Sequence, residues 1–483
     1  MKLQNILHNV DCQIFGSTDV DIANIAFDSR KVEPGTLFVA QVGVHVDGHK
    51  FIDSSIAAGA KAVICQTLPA TLNPDICYLL TPNSDIALGQ VAANYYGNPS
   101  SKLKLIGITG TNGKTTTVTL LHRMFRMLGH HVGLLSTIVN KIDEEEFPAT
   151  HTTPDALALN SLLAKMVEAG CDYALMEVSS HSVVQNRIAG LTFAGGIFSN
   201  ITHDHLDFHK TMANYIQAKK GFFDQLPKGA FALTNRDDRN GMVMVQNTAA
   251  TVSTYSLQSM ADFRCRLIED TFQGLHLEIN GQEVWTRLVG RFNAYNLMAI
   301  YGTALLCGTE PMEALRILSM LQAAEGRFQY VSGRGITAIV DYAHTPDALQ
   351  NVISTINDIR TDTQSLITVV GCGGDRDPFK RPVMAKIAAE GSSKVILTSD
   401  NPRTEEPSKI IDAMEEGLSA EQKCHTLRID DRRQAIRTAV MIAHEGDIIL
   451  VAGKGHEKYQ EINGVRHHFD DREELAQALA AEL

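Results

Sequence analysis

Leu103-Lys104-Leu105-Ile106-Gly107-Ile108-Thr109-Gly110-Thr111-Asn112-Gly113-Lys114-Thr115-Thr116-Thr117 is the stretch on which the fold turns. An apolar run enters a glycine-rich turn, and the turn opens a helix that begins with a lysine and hydroxyl residues. Gly110 and Gly113 let the backbone curl so that successive N–H groups face one point, and the N-terminus of the helix adds partial positive charge there. Lys114 offers a mobile cation to outer phosphates, and the Thr115 hydroxyl suits Mg²⁺. Gly107, Gly110 and Gly113 frame the lysine as GxxGxxGKT, which departs in length from GxxxxGK[ST]. The stretch predicts a buried strand, a phosphate-holding loop and a helix. It does not say what the phosphate is used for.

Working outward, size and composition exclude several classes. A chain of 483 residues holds about three domains of ~150 residues. A hydrophobic content of 44% with 20% charged residues describes ordinary globular material. No apolar run reaches the ~18 residues of a membrane helix, and 1–20 carries polar and charged residues throughout, so the reading is a cytoplasmic chain with no membrane span and no signal peptide. The 8 cysteines have no CxxC spacing, which argues for reduced thiols against zinc or a disulfide framework. A formal charge of −12, from 43 basic and 55 acidic residues, offers no surface to nucleic acid. Anionic small ligands must be captured locally.

The pattern of strands and helices predicts an α/β protein of three domains. Residues 1–99 read as a small mixed α/β domain, with extended chain at 36–40, a helix at 51–59 and a strand at 62–65. The turn-rich Tyr96-Gly97-Asn98-Pro99-Ser100-Ser101 closes it. Residues 100–331 form a central phosphate-loop domain, alternating helix 115–128, strand 132–135, helix 155–169, strand 173–177, strand 196–199, helix 212–226 and strand 230–234. Such alternation implies right-handed crossovers and a mostly parallel sheet. The acidic 143–146 reads as a solvated loop. Residues 332–483 form a Rossmann-like, doubly wound domain with strands 336–340, 366–370, 394–398 and 447–451. Its helices are 347–359, 381–389, 407–417, 432–444 and 472–483, and its ligand loops lie at strand C-termini.

Several clusters at strand ends carry chemistry. Glu177, closing a strand in Met176-Glu177-Val178-Ser179-Ser180-His181, stands where a phosphate-loop fold holds the Mg²⁺ that bridges outer phosphates. A buried carboxylate there needs a cation. In Ser199-Asn200-Ile201-Thr202-His203-Asp204-His205-Leu206-Asp207-Phe208-His209, three histidines beside two aspartates suit a metal or acid–base site, although a lone histidine is more often structural. Ala218-Lys219-Lys220 reads locally as a solvated helical face. Gly290-Arg291-Phe292-Asn293-Ala294-Tyr295-Asn296 and Gly326-Arg327-Phe328 are weaker candidates for nucleotide contacts, the arginine at a domain junction suiting charge stabilisation in phosphoryl transfer. Three loops of the last domain carry Arg381, then Asp400 and Arg403, then Glu457. Two arginines and two carboxylates there suit a small zwitterion.

With these motifs in order, the chain resembles the Mur ligases over nearly its full length, on the diaminopimelate-adding branch. The carrying motifs are GITGTNGKTTT, MEVSSH, HDHLDFH with AKK, GRFNAYN, VDYAHTPDAL, GCGGDRDPFKRP, DNPRTEEP and AGKGHE. The resemblance implies that ATP phosphorylates the terminal carboxylate of UDP-MurNAc-L-Ala-D-Glu and that the amine of meso-diaminopimelate attacks the acyl phosphate. It implies Lys114, Glu177, His205 and Lys219 as catalytic residues. Two Mg²⁺ ions would be held by Thr115, Glu177, His205 and a carbamylated Lys219, which reverses the local reading of that lysine. ATP contacts would come from Gly110, Thr111, Asn112, Gly113, Lys114, Thr115, Thr116, Asn296, Arg327 and Asp341, with His344 in the same loop. Ser29 would meet the UDP-sugar; Thr152, Thr153, Ser179, Gln185 and Arg187 would position the dipeptide. Arg381, Asp400, Asn401, Pro402, Arg403, Gly453 and Glu457 would take the incoming amino acid. The family pattern departs at His151, to which no contact is carried. Small molecules are the implied partners of a monomer. Arg403 in DNPR separates this branch from the lysine-adding one, and Asp28-Ser29-Arg30 separates it from folylpolyglutamate synthases. A nucleotide-gated switch or scaffold remains the alternative of another class.

Overall fold

A computed structural model describes residues 1–43, 46–149, 151–202 and 206–481. Three sheets organise them. The first has five strands in the order Gln13–Phe15, Cys77–Leu80, Ala62–Cys65, Thr36–Val39 and Asn24–Ala26, parallel except for the first.

The second sheet has eleven strands, built around Lys104–Thr109. That strand lies between Tyr173–Glu177 and Gly195–Phe198, parallel to both, because it is buried on both faces and needs no polar alternation. Val132–Leu135 continues the parallel array on one side, and Phe231–Asn235 and Thr251–Ser256 continue it on the other. The two-residue period divides its apolar residues between two cores. Ile106 and Ile108 pack with Val118, Leu121 and Phe125 of the helix Lys114–Met127, while Leu105 packs with Met176, Phe198 and Phe222 on the opposite face. The phosphate loop therefore emerges at the C-terminal edge of a strand fixed from both sides.

The acidic segment differs from its reading as a loop. Val139–Ile142 and Glu145–Pro148 pair as an antiparallel hairpin on the sheet edge. Asp143 occupies the turn with φ +51°, which aspartate tolerates, and its carboxylate accepts from Val132 N at 2.8 Å and pairs with Arg126 at 2.9 Å. On the far edge, Phe263–Thr271, Gly274–Ile279 and Gln282–Trp285 add an antiparallel extension that the periodicity of the sequence does not announce.

The third sheet runs Gln329–Gly333, Ile336–Asp341, Ile448–Ala452, Leu366–Val370, Lys394–Leu397 and Thr426–Arg428, antiparallel at its first edge and parallel elsewhere. Arg432 forms a fully buried bidentate pair with Asp471, tying the helix Arg432–Ile442 to the helix Asp471–Ala480. A hairpin of Tyr459–Ile462 and Val465–His468 stands beside this sheet. Among the described residues no helix is long and apolar enough to cross a membrane.

Candidate active site

The phosphate loop is braced from three directions. Gly113 caps the helix Lys114–Met127 with φ +86°, and a Cβ built on it would lie 2.4 Å from Asn296 Oδ1, so neither the backbone nor the space admits a side chain. The neighbouring strand end supplies the second brace: Thr111 N donates to Asn200 O at 2.8 Å, Asn112 N to Asn200 Oδ1 at 3.0 Å, and Ser199 Oγ to Asn112 O at 2.6 Å. The third comes from the last domain, where Asp347 Oδ2 accepts from Asn112 Nδ2 at 2.5 Å and from Thr202 Oγ1 at 3.1 Å. Lys114 Nζ lies over the loop, donating to Gly110 O and Thr111 O at 2.9 Å each. Thr116 is buried in the first helical turn.

Glu177 is 1% exposed and gathers the hydroxyls around it. Its Oε1 accepts from Thr115 Oγ1 at 2.9 Å and from Thr137 N at 2.8 Å; its Oε2 accepts from Thr137 Oγ1 at 3.2 Å. These described donors are all neutral, so the buried charge suits a cation. Thr152 joins through Thr137 Oγ1 at 3.1 Å, and Thr153 Oγ1 donates to the Glu177 backbone carbonyl at 2.8 Å. Arg187 Nη1 reaches Thr153 O at 2.7 Å, and Ser179 caps the short helix Ser180–Val184 through Ser182 N. Gln185 ends that helix, whereas Ser29 lies in the single turn Ser29–Lys31 of the first domain. Four of the five dipeptide candidates thus gather beside Glu177, Arg187 through Thr153, and no described hydrogen bond joins the Gln185 side chain or Ser29, the UDP-sugar candidate, to them.

Lys219 corrects the local reading of a solvated helical face. It is 1% exposed, donates from Nζ to Gly110 O at 2.7 Å and lies 4.6 Å from the centre of the Tyr215 ring. Lys220 is also buried, paired with Asp224. The helix Met212–Asp224 buries both lysines; Lys220 pairs with Asp224 one turn on in the same helix, whereas Lys219 meets a distant carbonyl that a local window of sequence does not contain. His205 and its neighbours His203 and Asp204 fall outside the described residues. His209 bonds Ser180 Oγ at 2.9 Å and packs edge-on against His181 and Phe208 and tilted against Tyr215.

The loops of the third domain meet at a polar cluster. Asn401 Nδ2 donates to Glu457 Oε2 at 2.7 Å, while the fully buried Lys454 donates to Asn401 Oδ1 at 3.1 Å and lies 3.4 Å from Glu457 Oε2. Burial, with Asp400 adding repulsion, raises the Glu457 carboxyl above its ordinary range. Gly453 has φ +116°, and a Cβ there would meet Asp400 Oδ2 at 2.6 Å. Arg403 Nη1 donates to Gly374 O at 2.7 Å, with Pro402 buried beside it. Arg381 is buried against Glu405 at 2.8 Å, which holds that carboxyl below its ordinary range.

The two clusters are joined. Arg327 Nη2 lies 3.3 Å from Thr115 Oγ1, and its Cζ lies 4.8 Å from the centre of the Tyr342 ring. Tyr342 places its hydroxyl 3.4 Å from Glu457 Oε1. Asp341, at the preceding strand end, accepts from Phe328 N at 2.7 Å; burial pushes its carboxyl up to about 6 although Arg327 opposes the shift. His344 Nδ1 contacts Tyr342 O at 2.8 Å. Thr137, Tyr342, Asp347 and Lys454 were not singled out by the sequence, although three of the four stand inside or beside motifs that were.

A phosphate loop facing a buried carboxylate, joined through an arginine to a pocket of mixed charge, defines a nucleotide-dependent enzyme with a second, polar substrate site. Three matches cover most of the chain: the Mur ligase family catalytic domain over residues 21–96, the Mur ligase middle domain over 108–304, and the Mur ligase glutamate ligase domain over 326–455. Two curated relatives carry the name UDP-N-acetylmuramoyl-L-alanyl-D-glutamate--2,6-diaminopimelate ligase. That of Parabacteroides distasonis is 55% identical over 484 residues, covering 100% of both chains, and that of Cytophaga hutchinsonii is 56% identical over 475 residues, covering 98% of both. A solved structure of a ligase of the same name superposes with a TM-score of 0.71 at 34% identity, covering 99% of this chain and 98% of that one. The fold extends to a MurF of Acinetobacter baumannii at 17% identity, with a TM-score of 0.63 and coverage of 94% and 95%. This chain belongs to the Mur ligase family, whose members are ATP-dependent ligases.

Proposed function

We propose that the chain joins meso-diaminopimelate to the D-glutamyl carboxylate of UDP-N-acetylmuramoyl-L-Ala-D-Glu, using ATP and releasing ADP and phosphate, in peptidoglycan precursor synthesis. The observation that carries this reading is the run of contacts from Thr115 through Arg327 and Tyr342 to Glu457, which sets a nucleotide loop two side chains away from a pocket suited to a zwitterion. The names of relatives at 55% and 56% identity supply the substrates. In this proposal the chain acts in the cytoplasm as a monomer on small molecules.

A carboxylate resists amines because its oxide is a poor leaving group. Transfer of the γ-phosphoryl group to a carboxylate oxygen makes an acyl phosphate; the amine then attacks the carbonyl carbon, the C–O bond breaks and phosphate leaves with the electron pair. In this proposal Lys114 and the amides of Gly110 to Thr116 hold the phosphates, with Asn296 and Asp341 completing the nucleotide site. Arg327 adds positive charge as the phosphoryl group moves. Thr152, Thr153, Ser179, Gln185 and Arg187 hold the dipeptide, and Ser29 the UDP-sugar. Arg381, Asp400, Asn401, Pro402, Arg403, Gly453 and Glu457 hold the diaminopimelate.

The Thr115 hydroxyl and Glu177 carboxylate are the hard oxygen donors that Mg²⁺ prefers, and the neutral donors around Glu177 leave its charge for a cation. Bound there, Mg²⁺ would neutralise the crowded phosphate oxygens. His205 and a carbamylated Lys219 complete the proposed two-ion set, the burial of Lys219 beside Gly110 O supporting its membership.

Phosphate release measured with ATP, the UDP-dipeptide and either meso-diaminopimelate or L-lysine tests the assignment. Turnover with meso-diaminopimelate that is at least about tenfold faster than with lysine is expected, since a charge-assisted hydrogen bond separates the two. Equal rates, or a preference for lysine, would reject it.

A further inference from the structure

We propose that Tyr342 is a positioning residue that couples occupancy of the amino-acid pocket to the placement of Arg327 at the phosphate loop. The inference rests on the reading of the two clusters given above, and it adds to that reading a route between them.

Tyr342 follows the strand Ile336–Asp341 and has a fixed root: its N–H donates to Gly326 O at 2.9 Å, the residue next to Arg327. Its Cβ packs so closely on Gly455 that a Cβ built there would lie 2.6 Å away. The ring is held by His456 and His344, with centroids at 4.7 and 4.5 Å. One face of this fixed ring receives the Arg327 guanidinium. Among the described residues the guanidinium makes one long hydrogen-bond contact, 3.3 Å to Thr115 Oγ1, its Nε is buried without a hydrogen-bond partner, and the nearby Asp341 carboxylate attracts it by charge alone. A cation over an aromatic face is attracted by the ring quadrupole, so the ring sets where the charge sits.

The far end of Tyr342 reads the other site. At 3.4 Å from Glu457 Oε1, the hydroxyl is beyond the 2.5–3.0 Å of a formed O–H···O bond. Glu457 is meanwhile held on its other oxygen by Asn401 and Lys454. An ammonium group entering between Asp400 and Glu457 competes for those bonds and shifts the carboxylate, and the phenol tightens or loosens with it. Catalytic hydrogen bonds commonly shorten only in the loaded complex. The amino acid thereby acts on the ring that positions Arg327.

The test uses the full chain as Tyr342→Phe and Tyr342→Leu. Calorimetry measures the affinity for an ATP analogue with a non-hydrolysable β,γ bridge, with and without the amino acid, in the presence of the UDP-dipeptide. The parent is expected to bind the analogue several-fold more tightly when the amino acid is present. Tyr342→Phe should bind the analogue alone within about twofold of the parent, lose that enhancement, and raise the KM for the amino acid by about 3- to 10-fold, the loss of one hydrogen bond. Tyr342→Leu, which also removes the ring, should weaken the analogue itself by about fivefold. An enhancement in Tyr342→Phe equal to the parent's, its absence from the parent, or a uniform loss of all affinities in both variants would overturn the inference. The ratio is taken with whichever amino acid the parent turns over. A wrong substrate assignment therefore appears in the parent's turnover, and a wrong role for Tyr342 appears in the ratio.

Discussion

Glu177→Gln is expected to lower kcat for amide formation by about 10³-fold, because charge stabilisation by a bound divalent cation is worth several kcal/mol and each ~1.4 kcal/mol is tenfold. The substitution nearly preserves shape while removing the negative charge. With its NH₂ group on the Oε2 side, where the Thr137 hydroxyl can accept from it, the amide oxygen still accepts from Thr115 Oγ1 and Thr137 N, so the local hydrogen bonds survive. Transfer suffers through the lost anionic ligand of the proposed cation. Thermal unfolding and affinity for the UDP-dipeptide serve as controls, since neither depends on phosphoryl transfer. A variant retaining a tenth or more of the parental kcat would remove Glu177 from the chemistry.

The second large effect falls on substrate choice. Arg403 has an unusual backbone, with φ +51°, and the adjacent hairpin clamps it: its N–H donates to Glu461 O at 3.0 Å and its carbonyl accepts from Asn463 N at 2.7 Å. That clamp, with the bond from Nη1 to Gly374 O, pre-aims the guanidinium before any ligand arrives. Diaminopimelate ends in a second carboxylate that can take this fork, whereas lysine ends in an ammonium alone. Removing a charge-assisted bond costs about 1.5–3 kcal/mol, so Arg403→Ala should raise the KM for meso-diaminopimelate by about 10- to 150-fold. The KM for ATP should stay within about twofold, and any activity on lysine should not fall in parallel, since lysine lacks the carboxylate. Arg403→Lys should recover part of the loss, keeping the charge without the planar fork. Steady-state kinetics with each substrate varied in turn decides this; an unchanged KM for meso-diaminopimelate would separate Arg403 from selection.

The parts of the fold that could be read from sequence share one property. Ala62–Cys65, Val132–Leu135, Tyr173–Glu177 and Leu366–Val370 are apolar runs bounded by polar or turn residues, and the structure places strands on the same residues. Their burial on both faces writes itself into local composition. The antiparallel pieces do not: Glu145–Pro148, Gln282–Trp285 and Val465–His468 are polar edge strands whose existence depends on a partner strand. Lys219 follows the same logic at a single residue. Ala218-Lys219-Lys220 is polar in its own window, and what buries it is a carbonyl of Gly110, 109 positions away. Thr137 meets Glu177 across 40 positions, Lys454 meets Asn401 across 53, and Tyr342 meets Glu457 across 115. Motifs at strand ends disclosed where chemistry would gather, since parallel sheets deliver their loops to one edge. Which side chains brace the reacting ones is a property of the assembled sheets.

The central claim is that the phosphate loop aims a γ-phosphate at the D-glutamyl carboxylate, one oxygen of which leaves with the phosphate when the amide forms. Synthesis of the UDP-dipeptide with ¹⁸O in that carboxylate, followed by one complete turnover with ATP and meso-diaminopimelate and mass analysis of the released phosphate, tests it directly. The account predicts one ¹⁸O atom in the phosphate for each amide bond made, because the oxygen that accepts the phosphoryl group departs with it. Phosphate carrying no label while amide accumulates would contradict the acyl-phosphate route.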